Sequence, residues 1–279
     1  MQAILHRIIS FFMTILAFFG IVKTPAAPAQ PDTPVQQSVR FIAHRGATFA
    51  APENTLPAIE HAARDSCAGV EIDVRQTKDG VLVLSHNASV RGKLNGAETS
   101  RSISGSTYAA LCEISLGQDE NNADIRIPTL RQALELLRTL RLEAVIHCKL
   151  QNSDFLQQVA RTVTECGMSG RCAYNTEKDF GSTIPAVLNE DPAASFHVPL
   201  AEALADPSIR ELTAQPAAIV ATVAVASLKN DTAAQIRAEG FSFYIWNVNA
   251  DNLKTALAAA PDYIEFVSGV SVTELLASV

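Results

Sequence analysis

Short apolar segments alternate with amphipathic helical patterns along the chain, and this alternation constrains the fold more than any other feature of the sequence. Strands are predicted for nine segments, at residues 41–43, 70–74, 81–85, 144–149, 171–174, 195–198, 218–222, 243–246 and 263–267. The helical patterns include residues 55–65, 129–140, 154–166, 232–239, 251–260 and 271–277. Strands that alternate with helices are typical of βα units around a parallel sheet.

The polar residues that follow the strands favour a barrel over a doubly wound sheet. In a (β/α)₈ TIM barrel the catalytic groups lie at the C-terminal ends of several strands. His44 and His86 follow the first and third predicted strands, and His147 and Lys149 end the fourth. The chain has no Gly-rich dinucleotide or phosphate-loop fingerprint. We therefore predict an α/β fold, a single-domain (β/α)₈ TIM barrel over residues 40–279, with one of the nine strands as an extra.

One long segment has no strong periodicity. Residues 87–126 are rich in Ser, Gly and Asn and are only weakly periodic. Connecting segments of this composition run over the surface and often carry function. We predict an excursion over the barrel mouth that lines the substrate entrance.

The N-terminus has the pattern of a secretory signal peptide. Arg7 precedes an apolar stretch at residues 8–22, and a small-residue segment ending in Ala29 follows. The predicted boundaries are a signal peptide at 1–29 and a Pro-, Ala- and Gln-rich linker at 30–39. The chain is thus expected to be exported, periplasmic or secreted. An uncleaved membrane anchor remains the alternative, although the apolar stretch is shorter than the roughly 20 residues of a spanning helix.

Net charge and cysteine content limit the partners and the chemistry. The formal net charge is −7 and no basic tract occurs, which argues against nucleic acid as a partner. Export would make disulfides feasible, with Cys166 and Cys172 as the easiest pair. The alternative is that most of the five cysteines are buried free thiols. The five are Cys67, Cys112, Cys148, Cys166 and Cys172.

Two carboxylates on one predicted strand indicate a cation site. Glu71 and Asp73 are two residues apart, so both side chains point to the same face of the strand. Two carboxylates on the inner face would repel each other without a cation between them, and oxygen ligands suit Mg²⁺ or Ca²⁺. The alternative is a solvent-facing pair on an edge strand.

Two histidines near these carboxylates suit proton transfer. His44 and His86 could each act as general acid or base near neutral pH. A lone histidine is more often structural, and we assign that role to His61 and His197, which lack supporting partners in the sequence.

Two cations and one aromatic residue are candidates for substrate binding. Arg45 and Lys149 could contact phosphate oxygens, Arg45 as a bidentate fork and Lys149 as a point charge. Trp246, the single tryptophan, either walls the pocket or belongs to the core.

A fourth candidate for substrate binding precedes a predicted helix. Asn54 or Thr55 has the residue type of a helix cap. Glu53 is therefore either an acid at the start of this helix or an active-site carboxylate.

These segments together resemble the glycerophosphodiester phosphodiesterase family, a group of phosphatidylinositol-phosphodiesterase-like TIM barrels. The resemblance is dense over residues 41–86 and the chain diverges in its C-terminal half. It rests on His44-Arg45-Gly46, Pro52-Glu53-Asn54-Thr55, Glu71-Ile72-Asp73-Val74, Thr77-Lys78-Asp79-Gly80, His86, Ile127-Pro128-Thr129-Leu130 and Trp246-Asn247-Val248-Asn249.

The resemblance implies a chemistry and a substrate class. It implies a hydrolase that uses a divalent cation to convert small glycerophosphodiesters into glycerol 3-phosphate and an alcohol. His44 and His86 would be the acid/base pair, and Glu71 and Asp73 would be metal ligands. The neighbouring hydroxyl of the substrate would attack phosphorus, and water would open the resulting cyclic phosphate.

The chain departs from the family pattern at the metal site. The Glu-x-Lys strand of the family, whose Glu is the third carboxylate ligand, appears as His147-Cys148-Lys149. We expect His147 to replace that ligand. The resemblance implies Ca²⁺ or Mg²⁺, whereas a neutral imidazole favours softer transition metals.

Two other readings share the barrel. One is an enzyme similar to sphingomyelinase D or phospholipase D that acts on lipid headgroups. The other is a non-catalytic barrel that binds phosphoesters, in which His147 has impaired the metal site.

Overall fold

The structure is a computed structural model that describes residues 39–212 and 218–277. The predicted signal peptide and almost all of the predicted linker lie outside these residues, so both boundaries and the export that they imply stay predictions. Residues Val39–Val279 belong to one compact unit. None of the described helices combines the length and the apolar character that a membrane crossing requires.

The described residues contain thirteen strands and ten α-helices. The strands are β1 Arg40–His44, β2 Gly69–Gln76, β3 Leu82–Leu84, β4 Ser89–Leu94, β5 Ala97–Ser102, β6 Gly117–Gln118, β7 Asp124–Ile125, β8 Glu143–Cys148, β9 Cys172–Asn175, β10 Ser195–Pro199, β11 Ile219–Ala224, β12 Ser242–Val248 and β13 Tyr263–Phe266. The helices are α1 Leu56–Arg64, α2 Tyr108–Leu111, α3 Leu130–Leu140, α4 Ser153–Glu165, α5 Phe180–Leu188, α6 Leu200–Ala205, α7 Pro207–Leu212, α8 Thr232–Ala238, α9 Leu253–Ala258 and α10 Val272–Ala277.

Eight parallel strands close into a barrel. Their order is β1-β2-β8-β9-β10-β11-β12-β13, and β1 closes the ring because it pairs with both β2 and β13. The residues that pack between this sheet and the helices are mostly aliphatic and almost fully buried. The predicted single-domain (β/α)₈ barrel is confirmed.

The extra strand among the nine predicted ones is the segment at 81–85. It forms β3, which runs antiparallel along β2 and contributes nothing to the closed ring. The prediction that His86 follows a barrel strand is therefore wrong. Leu84 nevertheless pairs with Val74, and the Ser85 N–H donates to the Asp73 carbonyl oxygen at 2.9 Å. Because β3 runs antiparallel to β2, the residue that follows it, His86, lies at the barrel mouth.

Helix prediction succeeded where the apolar period was regular. In α3, Leu130, Ala133, Leu134 and Leu137 are buried, and Thr129 caps the helix. Helix α5 was not predicted because it is apolar on most sides and contains Pro185, which obscures a helical period.

The weakly periodic segment at 87–126 forms a small structure of its own. It contains the hairpins β4–β5 and β6–β7 and the short helix α2. A separate apolar cluster supports it, made of Val83, Val90, Ile103, Leu111, Ile114 and Ile127. Its first residues line a cavity of about 150 Å³ together with Glu53 and His86.

The five cysteines are free thiols, and four of them are buried. The structure therefore agrees with the alternative of buried thiols. The other alternative, a disulfide between Cys166 and Cys172, is not formed.

Asp65 connects the first and the last helix of the outer ring. It terminates α1, and its carboxylate accepts hydrogen bonds from the Ser271 hydroxyl at 2.7 Å and from the Val272 and Thr273 N–H groups at 2.6 and 3.2 Å. Those two N–H groups belong to the first turn of α10, where a helix lacks internal acceptors. Burial raises the pKa of Asp65, but these hydrogen bonds outweigh it and lower the pKa below its ordinary 3.8.

Asp65→Asn should lower the free energy of unfolding by about 2 kcal/mol at pH 7, since it removes a charged helix cap. A lowered pKa contributes stability above the ordinary value and loses it as the pH falls through the folded value. The difference between wild type and variant should therefore shrink between pH 7 and pH 3. Urea denaturation at both pH values measures this difference.

Asp251→Asn is the matched control, because Asp251 is exposed and undergoes the same change of charge. If the loss of unfolding free energy in Asp65→Asn were the same at pH 7 and pH 3, the stabilisation would not come from the charge of the Asp65 carboxylate.

Candidate active site

A cavity of about 330 Å³ opens at the barrel mouth. Six of the residues predicted for the site line it, namely His44, Arg45, Glu71, His86, His147 and Trp246. Other lining residues were not predicted for the site, among them Asn175, Glu177, His197, Tyr244 and Glu265. The cavity lies where TIM barrels carry their active sites.

The register of adjacent strands brings the candidate ligands together. His44 of β1 is the partner of Glu71 on β2. Asp73 of β2 is the partner of His147 on β8, and His147 is in turn the partner of Asn175 on β9. Groups from four neighbouring strands therefore face one region of the mouth.

Glu71, Asp73 and His147 have the geometry of a cation site. Their donor atoms lie within 4.8 Å of one another, and His147 Nδ1 is 3.3 Å from Asp73 Oδ1 and 3.6 Å from Glu71 Oε1. Two ligands of one cation at bond lengths of about 2.1 Å lie roughly 3–3.5 Å apart. Both carboxylates are buried on a barrel strand, so the edge-strand alternative is wrong. The residues present fit a divalent cation.

Asn54 holds Asp73 in place. The Asn54 side-chain amide donates to Asp73 Oδ2 at 2.8 Å, and the Asp73 N–H donates to Asn54 Oδ1 at 2.9 Å. Burial raises the pKa of Asp73, but hydrogen bonds from His147, Lys149 and Asn54 outweigh it and hold the pKa well below its ordinary range. Asp73 is therefore an anion at neutral pH.

Arg45 is paired with carboxylates in this structure. Its Nη1 lies 2.9 Å from Glu53 Oε2, and its Nε lies 3.4 Å from Asp73 Oδ2. Helix α1 begins at Leu56 with Thr55 as its cap, so Glu53 precedes the helix. Of the two predictions for Glu53, the helix acid is wrong, and its carboxylate contacts Arg45 beside the mouth.

His147 contacts charged side chains through both ring nitrogens, and Lys149 Nζ lies 2.9 Å from its Nδ1. Lys149 Nζ is 2.9 Å from Asp73 Oδ1, and His147 Nε2 contacts Glu177 Oε1. Burial lowers the pKa of His147, but hydrogen bonds with Asp73 and Glu71 outweigh it and raise the pKa to about 9. A cation that binds His147 must therefore displace a proton.

His44 is oriented by a residue from the far end of the chain. Its Nδ1 lies 3.0 Å from Ser268 Oγ, whereas Nε2 has no hydrogen-bond partner among residues 39–212 and 218–277. Burial lowers the pKa of His44 below its ordinary 6.5 and outweighs the opposite effect of Glu71. His44 is therefore neutral at pH 7.

The main chain of His86 is held by hydrogen bonds from Arg75. Its carbonyl oxygen accepts hydrogen bonds from Arg75 Nη2 at 2.7 Å and from Arg75 Nε at 3.2 Å. The His86 side chain lines the same cavity as His44.

The floor of the cavity carries little charge. His197 is buried, and its ring packs against Tyr244 at a centroid distance of 4.3 Å. Burial lowers the pKa of His197 to about 3. Burial, reinforced by the charge of Glu71, raises the pKa of Glu265 to about 8, and the Tyr244 hydroxyl donates to this carboxyl group. Both groups are therefore largely uncharged at pH 7.

Trp246 lies at the mouth, with 39% of its surface exposed. The alternative of a core aromatic is wrong.

Sequence reasoning missed several residues of this site. The sequence indicates Asn54 only as a helix cap, although it lies within the Pro52-Glu53-Asn54-Thr55 motif. Ser268, Glu177 and Glu265 carried no local signal, because their partners are remote in sequence.

The family follows from a comparison with family models. The model of the glycerophosphoryl diester phosphodiesterase family matches residues 44–273. The chain belongs to this family. The match extends over most of the barrel, and the family inferred from the motifs at 41–86 is confirmed.

Curated relatives match over a shorter range. Glycerophosphodiester phosphodiesterase 1 of Rattus norvegicus is 36% identical over 132 residues, which cover 43% of this chain and 37% of that protein. Glycerophosphodiester phosphodiesterase of Bacillus altitudinis is 36% identical over 119 residues, which cover 42% and 46%. The matched region is thus less than half of the length of these relatives.

Solved structures support the fold. Glycerophosphodiester phosphodiesterase from Agrobacterium tumefaciens superimposes with a TM-score of 0.68 at 22% identity, over 86% of this chain and 100% of that chain. A phosphodiesterase from Oleispira antarctica, solved in complex with the product sn-glycerol-3-phosphate, gives 0.68 at 16% identity, over 86% and 96%.

Asn54→Ala should lower the free energy of unfolding by roughly 2–4 kcal/mol and weaken Mn²⁺ binding. The variant removes two buried hydrogen bonds from Asp73, one of them to a charged oxygen. Urea denaturation and Mn²⁺ titration measure the two effects.

Asn95→Ala is the matched control, because Asn54 and Asn95 both have a left-handed backbone, with φ of 57° and 50°. Asn95 is exposed, so its replacement reports the backbone strain alone. Equal effects of the two variants on Mn²⁺ binding would contradict the positioning of Asp73 by Asn54.

Proposed function

We propose that this protein is an exported, metal-dependent phosphodiesterase that converts glycerophosphodiesters into glycerol 3-phosphate and an alcohol. One observation carries the proposal: His44 and His86 line the same cavity as Glu71 and His147, which form a candidate metal cluster with the buried Asp73. The family and the product bound to the Oleispira antarctica phosphodiesterase support the reaction. The N-terminal sequence pattern supports export.

Glu71, Asp73 and His147 would hold the cation. When bound, it would neutralise phosphate charge and polarise a phosphorus–oxygen bond. We propose that the imidazole nitrogen of His147 shifts the preference from Ca²⁺ or Mg²⁺ toward Mn²⁺ or Zn²⁺.

The two histidines would move the protons. The neutral His44 takes the proton from the substrate hydroxyl that attacks phosphorus, and His86 gives a proton to the departing alcohol oxygen. The products of this step are a cyclic phosphate and the alcohol. In the second step His86 takes a proton from water, and His44 returns its proton to the ring oxygen that leaves phosphorus. Both histidines thereby regain their initial states.

The remaining predicted residues would position the substrate. Arg45 and Lys149 lie against the carboxylates, so their charges are available beside a phosphate at the cation site. Trp246 and Pro199 offer an apolar surface on the other side of the cavity for the alcohol group.

The purified protein with added Mn²⁺ or Zn²⁺ should release glycerol 3-phosphate from glycerophosphocholine. His44→Ala and His86→Ala should each lower kcat by about 10²–10⁴-fold, the usual contribution of a general acid or base. His61→Ala, on α1, should leave the rate unchanged. An enzyme-coupled assay for glycerol 3-phosphate, with each metal in turn, measures the rates.

Other outcomes would select the other readings. Hydrolysis of sphingomyelin or lysolipid alone would favour the phospholipase D-like enzyme. A folded protein that hydrolyses no diester with any of the metals would be the non-catalytic barrel. Recovery of the chain from an exporting host with residues 1–29 intact would contradict the cleaved signal peptide.

The acid limb of kcat/KM should have its midpoint below pH 6.5. His44 must be neutral to accept a proton, and burial lowers its pKa below 6.5, so activity is retained until the pH falls through that lowered value. The profile should be measured with the metal saturating at every pH, because protons also compete for the metal ligands. A midpoint above pH 6.5 would contradict His44 as the base.

A further inference from the structure

Glu177 lies on the side of His147 that faces away from the carboxylates. His147 Nδ1 faces Asp73 and Glu71 and lies 2.9 Å from Lys149 Nζ, whereas His147 Nε2 contacts Glu177 Oε1. Carboxylates therefore lie on both sides of the imidazole, and the Lys149 ammonium group, which can only donate, lies against Nδ1 and is compatible with a proton on Nε2. In metal sites, a carboxylate on the second nitrogen of a ligating histidine fixes the ring and its tautomer.

The main chain around Glu177 is constrained to produce this contact. Strand β9 ends at Asn175, and the Asn175 side-chain oxygen accepts a hydrogen bond from the Glu177 N–H at 3.1 Å. Glu177 has a φ of 62°, in the left-handed region, which costs a residue with a side chain on the order of 1 kcal/mol. Strain of this kind clusters at functional sites.

The strand register explains why Glu177 can reach His147. Asn175 is the β-sheet partner of His147 across β8 and β9, so the residue two positions further on lies just above the imidazole. The Glu177 side chain is 53% exposed, so its negative charge remains partly solvated and costs little to maintain.

We propose that Glu177 is a positioning residue of the metal centre, which accepts the Nε2 proton of His147 and presents Nδ1 to a divalent cation held with Glu71 and Asp73. The proposal rests on the metal dependence proposed above. Glu177 would thus fix the ring of His147, the residue that stands where the family pattern has a carboxylate ligand.

The test is a calorimetric titration of the purified protein with Mn²⁺, which measures the binding affinity. Glu177→Gln keeps the shape of the side chain and removes its charge. It should weaken Mn²⁺ binding by about 10–100-fold, as is typical when the partner of a metal-bound histidine is lost. Glu60→Gln, at an exposed position of α1, should bind Mn²⁺ as the wild type does.

A double-mutant cycle separates positioning from the general effect of one negative charge. In the His147→Ala background, Glu177→Gln should cause little further loss, because no imidazole remains to be oriented. The same loss in both backgrounds would overturn the proposal, since a long-range charge effect does not need His147.

The tautomer gives a second readout, independent of affinity. In ¹⁵N spectra of the Zn²⁺-loaded wild type, His147 should carry its proton on Nε2 and the metal on Nδ1. Metal on Nε2, or unchanged Mn²⁺ affinity in Glu177→Gln, would overturn the proposal while the metal dependence stands. A wild-type protein that binds none of these cations would overturn the metal dependence itself, and the role of Glu177 with it.

Discussion

Two like charges buried on one strand are the constraint on which the barrel mouth depends. The side chains of Glu71 and Asp73 are 6% and 1% exposed. Burying such carboxylates is costly unless hydrogen bonds and opposite charges compensate them. The neighbouring elements supply that compensation through Arg45 after β1, Asn54 before α1, and Lys149 after β8. The positions of the polar groups at the mouth follow from this requirement.

The cationic side chains that compensate the buried carboxylates are also placed for the proposed chemistry. Arg45 and Lys149 lie against Asp73, so they are already beside the place where a cation and a phosphate would bind. A bound cation would take over the neutralisation of the carboxylates, which makes both side chains available to the substrate. Beneath them, the largely uncharged floor with His197 and Glu265 adds little competing charge. The strong charges of the site are thus concentrated at one level of the barrel.

Residues of the site could be predicted where the signal was local. Glu71 and Asp73 share a face because strands alternate with a period of two, and His44 follows a recognisable strand. Asn54 and Ser268 could not be assigned in this way, because they act on partners 19 and 224 residues away. His86 lies at the barrel mouth as expected, but the strand before it is antiparallel and lies outside the ring. The sequence does not distinguish the two cases, because an antiparallel strand carries the same apolar pattern as a barrel strand.

The sequence by itself determined the barrel, the family, and the strand that carries the two carboxylates, because periodicity and short motifs are properties of neighbouring residues. Only the tertiary structure decided what surrounds His147. Its contacts come from β2 on one side and from the end of β9 on the other, and they depend on the register of three strands. Barrel closure fixes that register. The placement of Asp73 on the Nδ1 side of His147 and of Glu177 on the Nε2 side is therefore a property of the folded barrel.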